Sequence, residues 1–80
     1  KQHEFMTTQR VKQLQKGHSG TVIRFTDDKI ASKLLSMGVL PKSVIRMIKI
    51  APFNGGYYLK VDGNNLAVRV SEAENIVVEL

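Results

Sequence analysis

The residues able to do acid–base, nucleophilic or metal chemistry are few and poorly grouped. His3, His18, Asp27, Asp28, Asp62, Glu72 and Glu74 are the candidate metal ligands, and the chain has no cysteine. His18 stands between Gly17 and Gly20 with no second histidine at ligand spacing, so a closed imidazole or thiolate site has no partner for it. Asp27-Asp28 precedes a run of helical periodicity and reads better as a helix cap, a carboxylate taking up orphan amides. Ser19, Ser36, Ser43 and Ser71 lack any histidine and carboxylate at a spacing that suggests a triad, and Glu72 and Glu74 define no acid–base pair. Gly17-x-x-Gly20 lacks the lysine–serine sequel of a phosphate loop and leads into a strand. These residues predict no catalytic group, no metal site and no cofactor: a binding module rather than an enzyme.

What remains is recognition chemistry. Met37, Leu40, Pro41, Phe53, Tyr57 and Tyr58 place large apolar groups in or beside two loops, 37–41 and 52–57, with Lys33 and Lys42 nearby. Such side chains can plug the ends of a small barrel. As a cluster they make the candidate docking surface for a protein partner, and an apolar cluster of this kind can also pair with a second copy of itself. The competing reading is nucleic acid: Tyr58 or Tyr57 beside Lys60, with Lys42, Arg46 and Lys49 on the neighbouring strand. Alternation turns only one tyrosine outward, which is thin for a stacking platform, so the expectation is a protein partner and no nucleic acid.

The elements that must position these residues follow from period and punctuation. Thr7 or Thr8 caps a short helix through Leu14. Gly20–Phe25 alternates as a strand, with Thr21, Ile23 and Phe25 on one face and Val22 on the other. Ile30, Leu34 and Met37 fall at helical spacing behind the Asp27-Asp28 cap, and Gly38 then Pro41 ends that helix. Ser43–Ala51 is rich in β-branched residues. Asn54-Gly55 is the short-range hairpin signal, Tyr57–Asp62 a strand, 62–65 a tight turn and Leu66–Val70 a further strand. A capped helical turn at Ser71–Glu74 leads to a last strand at Asn75–Leu80. The pattern is mainly β: a small Src-homology-3-like (SH3-like) barrel of about five strands with one or two short helices, closed so that no strand edge is left exposed.

Eighty residues make one domain, and a chain this short buries only roughly 60% of its unfolded surface. The residues 1–5 that precede Met6 read as an expression remnant, leaving 6–80 as a single domain. The formal charge of +5 is spread along the chain, which is first of all a solvated basic face. No apolar run approaches the ~20 residues of a membrane span, and the expected setting is cytoplasmic.

In order and spacing the chain resembles the ferrous iron transport protein A (FeoA) family. The resemblance rests on Val11-x-x-Leu14-x-x-Gly17-x-x-Gly20-x-Val22 and Leu34-Leu35-x-Met37-Gly38-Val39-Leu40-Pro41. It continues through Ala51-Pro52-Phe53-Asn54-Gly55-Gly56, Val61-Asp62-Gly63 and Leu66-Ala67-Val68-Arg69-x-x-Glu72-Ala73-x-x-Ile76-x-Val78. Two positions depart from it. Lys42 follows Pro41 where the family often has glycine, and Lys33 stands where it often has arginine, losing the planar fork. The resemblance implies an SH3-like barrel, a cytoplasmic accessory role in bacterial ferrous iron uptake, and iron homeostasis as the process. Its implied partner is the large membrane iron permease with a cytoplasmic GTP-binding domain. The same domain type forms the C-terminal module of iron-dependent repressors, the alternative setting for this chain. No strong Fe²⁺ site and no insertion into the membrane are expected.

Overall fold

The structure is a computed structural model and describes residues 7–80, so the expected boundary at Met6 lies outside the described residues. Six strands form one antiparallel sheet: β1 (Thr8–Arg10), β2 (Ser19–Phe25), β3 (Val44–Ile50), β4 (Tyr57–Val61), β5 (Asn64–Val68) and β6 (Ile76–Glu79), in the order β1-β6-β2-β3-β4-β5. Two helices, α1 (Asp28–Ser36) and α2 (Val70–Ala73), and a single 3₁₀ turn at Val11–Gln13 complete it. No helix among the described residues is long and apolar enough to cross a membrane.

The mainly β reading stands, with four local corrections. Thr8 does not cap a helix: it lies in β1 opposite Glu79 of β6, and only Val11–Gln13 turns helically. The ladder between β1 and β6 supplies backbone partners that a three-residue helical stub could not. That pairing adds a sixth strand. The ladder also stays open between β1 and β5, so two edges remain where closure was expected. In β2 it is Gly20 and Val22 that are buried, not Thr21 and Ile23. The register slips between Val22 and Arg24, making Ile23 an extra residue that returns Phe25 to the core side.

α1 forms as its sequence dictates. Asp27 Oδ1 accepts from the amides of Lys29 (2.9 Å) and Ile30 (3.0 Å), satisfying two orphan donors at the positive end of the helix dipole. At the other end Gly38 adopts φ 93. Its N–H bonds Leu35 O, and the N–H of Val39 reaches back to Leu34 O, the paired closure that stops a helix. Leu34 and Val39 are thereby driven fully into the core.

That core is one cluster. Val22, Ile45, Met47, Leu59, Val61, Val68, Ile76 and Val78 enter from five of the strands, with Leu34 from α1 and Val11 and Leu14 from the first turn. A single sheet can surround one core only by curling, and the bulges at Ile23 in β2 and Ile48 in β3 supply the bend.

The turns decide where the loops point. β4 and β5 join through Asp62-Gly63, both left-handed (φ 48 and 88), the two-residue connection whose twist matches a hairpin; it is tighter than the four-residue turn read from sequence. Between β3 and β4 the tight turn falls one residue earlier than Asn54-Gly55. Phe53 and Asn54 are the left-handed pair (φ 58 and 57), closed by Gly55 N–H to Pro52 O at 3.0 Å. The flexibility of the second glycine is used elsewhere. Gly56 sits at φ 100 with its Cα so close to β5 that a Cβ would lie 2.4 Å from Val68 O.

Candidate functional site

Four of the six described carboxylates are engaged in holding the fold. Asp27 caps α1, as above. Asp62 Oδ1 accepts from Val44 N–H at 2.9 Å, and that bond, with the Ser43 hydroxyl, holds its carboxyl below the usual range. Glu74 pairs with Lys12 at 2.9 Å. Glu72 is buried. One carboxylate oxygen accepts from Arg69 N–H (2.7 Å) at the start of α2, and the other meets Lys33 Nζ of α1 at 2.5 Å. Burial pushes its pKa up. The Lys33 contact, the Arg69 amide and the charges of Lys33 and Arg69 outweigh that, and the net shift is downward.

His18 is exposed and lines a depression of about 540 Å³ with Gln9, Gln13, Gln15 and Ser19, all neutral side chains. Among the described residues no three histidine, cysteine or carboxylate side chains group closely enough to hold a metal ion. His3 lies outside the described residues.

The apolar residues proposed for docking divide into two places and a buried remainder. Leu40-Pro41-Lys42 forms a turn between α1 and β3, closed by Ser43 N–H to Leu40 O at 2.9 Å. Proline at its second position and φ 76 at Lys42 make it the kind of turn whose third residue is ordinarily glycine. It is braced on every side: Leu40 N–H donates to Ser43 Oγ, and Lys42 N–H and Val22 N–H tie it to β2. Leu40 is exposed there, beside the exposed Pro41 and Lys42. Phe53 lies beyond the far end of β3. The seven residues of β3 span roughly 23 Å at the strand rise, so Leu40 and Phe53 do not share one patch. Met37 and Tyr57 are half-buried and pack on the core, and Lys33 is drawn to Glu72.

Phe53 is the most unusual of these. Its side chain is 99% exposed, and its backbone is held left-handed, a conformation that costs a bulky L-residue roughly 1–2 kcal/mol. The turn's own hydrogen bonds hold the backbone in place, while the Phe53 ring itself is left in solvent.

Tyr58 belongs to a third surface, the outer face of β3, β4 and β5. The register sets Arg46 beside Lys60 and Lys49 beside Tyr58, with Lys60 opposite Asn65 and Tyr58 opposite Ala67. Alternation from Arg46 carries Ile48 onto the same face, where the bulge also sets Lys49, and Ile48, Tyr58, Leu66 and Ala67 line an open groove of about 360 Å³. Beside it, Lys16, Arg46 and Lys60 border a second depression of about 310 Å³. Alternation along β4 and β3 puts Tyr58, Lys60, Arg46 and Ile48 on a common face, while Lys49 joins it through the bulge and Lys16 through the fold.

A small curled antiparallel sheet with two short helices defines a domain of the SH3-like class. The comparisons specify it further. The model of the FeoA domain matches residues 9–80, and the chain belongs to that family. An FeoA-like protein from Clostridium acetobutylicum superposes with TM-score 0.84 at 25% identity, covering 95% of this chain and 90% of that one. FeoA from Stenotrophomonas maltophilia, solved with zinc and described as a prokaryotic SH3 domain protein, superposes with TM-score 0.71 at 29% identity, covering 85% and 86%. A manganese-dependent transcriptional repressor shares the fold at TM-score 0.85 and 21% identity; this chain covers 44% of it, less than half its length. No curated protein sequence matches.

Proposed function

We propose that this domain is a cytoplasmic accessory of ferrous iron uptake that acts by binding the membrane iron permease, on the side that carries a GTP-binding domain, and supports or regulates it. The FeoA membership supports the pathway, and the S. maltophilia relative is itself proposed as a ferrous iron transport activating factor. The observation that carries protein binding is Phe53, a wholly exposed aromatic kept in a costly left-handed conformation. Strain of that kind is held by the surrounding structure and clusters at ligand clamps and switch regions. The rigid Leu40-Pro41-Lys42 turn supplies a second contact at the other end of β3. The permease cytoplasmic region is thus gripped at two separated points rather than one.

The test is co-purification of the tagged domain with solubilised membranes containing the permease. Phe53→Glu and Leu40→Glu should each weaken capture while the circular dichroism of the domain is unchanged, and the pair should abolish it. Full capture by the double variant would refute the reading. A second reading, a C-terminal module of a metal-dependent repressor, is supported by the repressor superposition; capture by a repressor's DNA-binding domain instead of the permease would favour it.

A further inference from the structure

We infer that the β5 edge and the outer face beside it form a second docking site, one that takes an acidic, extended segment of a protein partner by strand addition. This does not depend on the permease reading, since it rests on a different surface.

Three observations converge. β5 ends the sheet, with β4 as its paired neighbour among the described residues. In a hairpin closed by a two-residue turn, the residues flanking the turn bond to each other and bonded pairs then alternate. Asn64, Leu66 and Val68 therefore face β4, and the N–H and C=O of Asn65 and Ala67 point away from the sheet. The edge is also unguarded. Asn64-Asn65-Leu66-Ala67-Val68 contains no charge, proline or bulge, the devices that ordinarily block an edge.

The face beside that edge selects the occupant. A strand added to β5 would lie about 10 Å from β4, two strand spacings, within reach of Lys60 and alongside Ala67 at the margin of the groove that Tyr58 and Ile48 also line. Arg46, Lys49, Lys60 and Lys16 border that surface; of the described acidic residues Asp27, Asp28, Glu72 and Glu74 lie in or beside α1 and α2, Glu79 lies in β6, and Asp62 at the hairpin turn is engaged by Val44 N–H. The groove suits one apolar side chain and the rim suits carboxylates. A second copy of this chain would bring the same basic face and a like charge of +5, which opposes edge-to-edge pairing. A single-stranded nucleic acid would meet one outward aromatic, Tyr58, and would leave the β5 amides unused.

The experiment is a titration of the ¹⁵N-labelled domain with the peptide Glu-Thr-Glu-Thr-Tyr-Thr-Glu, whose glutamates and tyrosine share one face of a strand, its lysine-for-glutamate counterpart, and oligothymidine. The acidic peptide should bind in a salt-sensitive manner, shift the amides of Tyr58, Asn65 and Ala67, and protect Ala67 N–H from exchange. Ala67→Pro removes an N–H that β4 does not use, so the fold should survive while affinity falls about tenfold, the equivalent of a lost hydrogen bond. Lys60→Glu, at an exposed position, should weaken binding comparably and provides the same test should the proline variant misfold. Preferential binding of oligothymidine, shifts confined to the Leu40 or Phe53 loops, dimerisation through β5, or unchanged affinity in a folded Ala67→Pro or Lys60→Glu domain would each overturn the inference.

Discussion

Glu72 is the buried charge among the described residues, and its replacement by glutamine is the most discriminating test of how the two helices are held to each other. Glu72→Gln keeps an oxygen for Arg69 N–H, so the start of α2 remains capped. It removes the charge that faces Lys33 and sets an amide donor against an ammonium. A hydrogen bond to a charged group contributes about 1.5–3 kcal/mol. Here the Lys33 side chain is 54% exposed against 5% for Glu72, so water recovers part of the lost interaction and the lower end applies: a loss of about 1–2 kcal/mol. Glu72→Ala also surrenders the Arg69 bond and should lose roughly 2–3 kcal/mol in all.

The assay is urea unfolding of the wild type and Glu72→Gln across pH. The folded-state pKa of Glu72 is lowered, so its contribution is complete above the unfolded carboxylate value of about 4.3 and is lost as pH falls through the folded value. The gap between the two proteins should therefore be full at neutral pH and close in acid. A gap that stays the same into strong acid would mean that glutamine disturbs packing rather than charge, and the account of the α1–α2 tether would fail. Asp62 titrates in the same sense, because the Val44 amide and then the Ser43 hydroxyl favour its charged form, and it should add to the acid loss in both proteins equally.

Replacing either strained residue should stabilise the isolated domain: Lys42→Gly and Phe53→Gly each relieve a left-handed L-residue at the expense of a more flexible unfolded chain, a net gain of about 0.5–1 kcal/mol in thermal unfolding. Loss of stability in both would show that those backbones are not strained. Gly56→Ala should destabilise by about 2–4 kcal/mol, since its Cβ would press on Val68 O in a left-handed backbone; a neutral result would mean that the β3–β4 loop relaxes away from β5. Leu34→Ala, at a wholly buried position that joins α1 to the sheet, should lose about 2–5 kcal/mol, read as a lower urea midpoint with an unchanged slope.

What the sequence conveyed about this fold was whatever is encoded locally. Asp27 and Gly38 bound α1 because a cap and a left-handed stop are properties of single residues. The Asp62-Gly63 hairpin is similarly self-contained. β1 was misread because Thr8–Arg10 becomes a strand only through β6, whose partner Glu79 lies at the other end of the chain. The bulges at Ile23 and Ile48 were invisible for a related reason: a bulge is a relation between two strands, and the sequence of one β-branched run does not announce which residue will be left over. That matters for the site, because each bulge reverses the face of every residue after it. The notion of one apolar cluster failed at the same level. The sequence placed Leu40 and Phe53 in loops without deciding whether they plug the barrel ends; both are exposed, and β3 separates them by its whole length.

The two departures from local rules are informative in another way. Lys42 occupies a turn position that favours glycine, and Phe53 a hairpin position that favours asparagine or glycine. Both are exposed and both cap the ends of the same strand. A chain selected for stability alone would relieve each by a single substitution. Their coexistence at the two ends of β3, on turns otherwise secured by hydrogen bonds to Val22, Ser43 and Pro52, is what a rigid two-point grip requires. Stabilising both turns with glycine should accordingly leave a more stable domain that binds its partner less well, and the opposite movement of stability and binding is the signature that separates a functional strain from an accidental one.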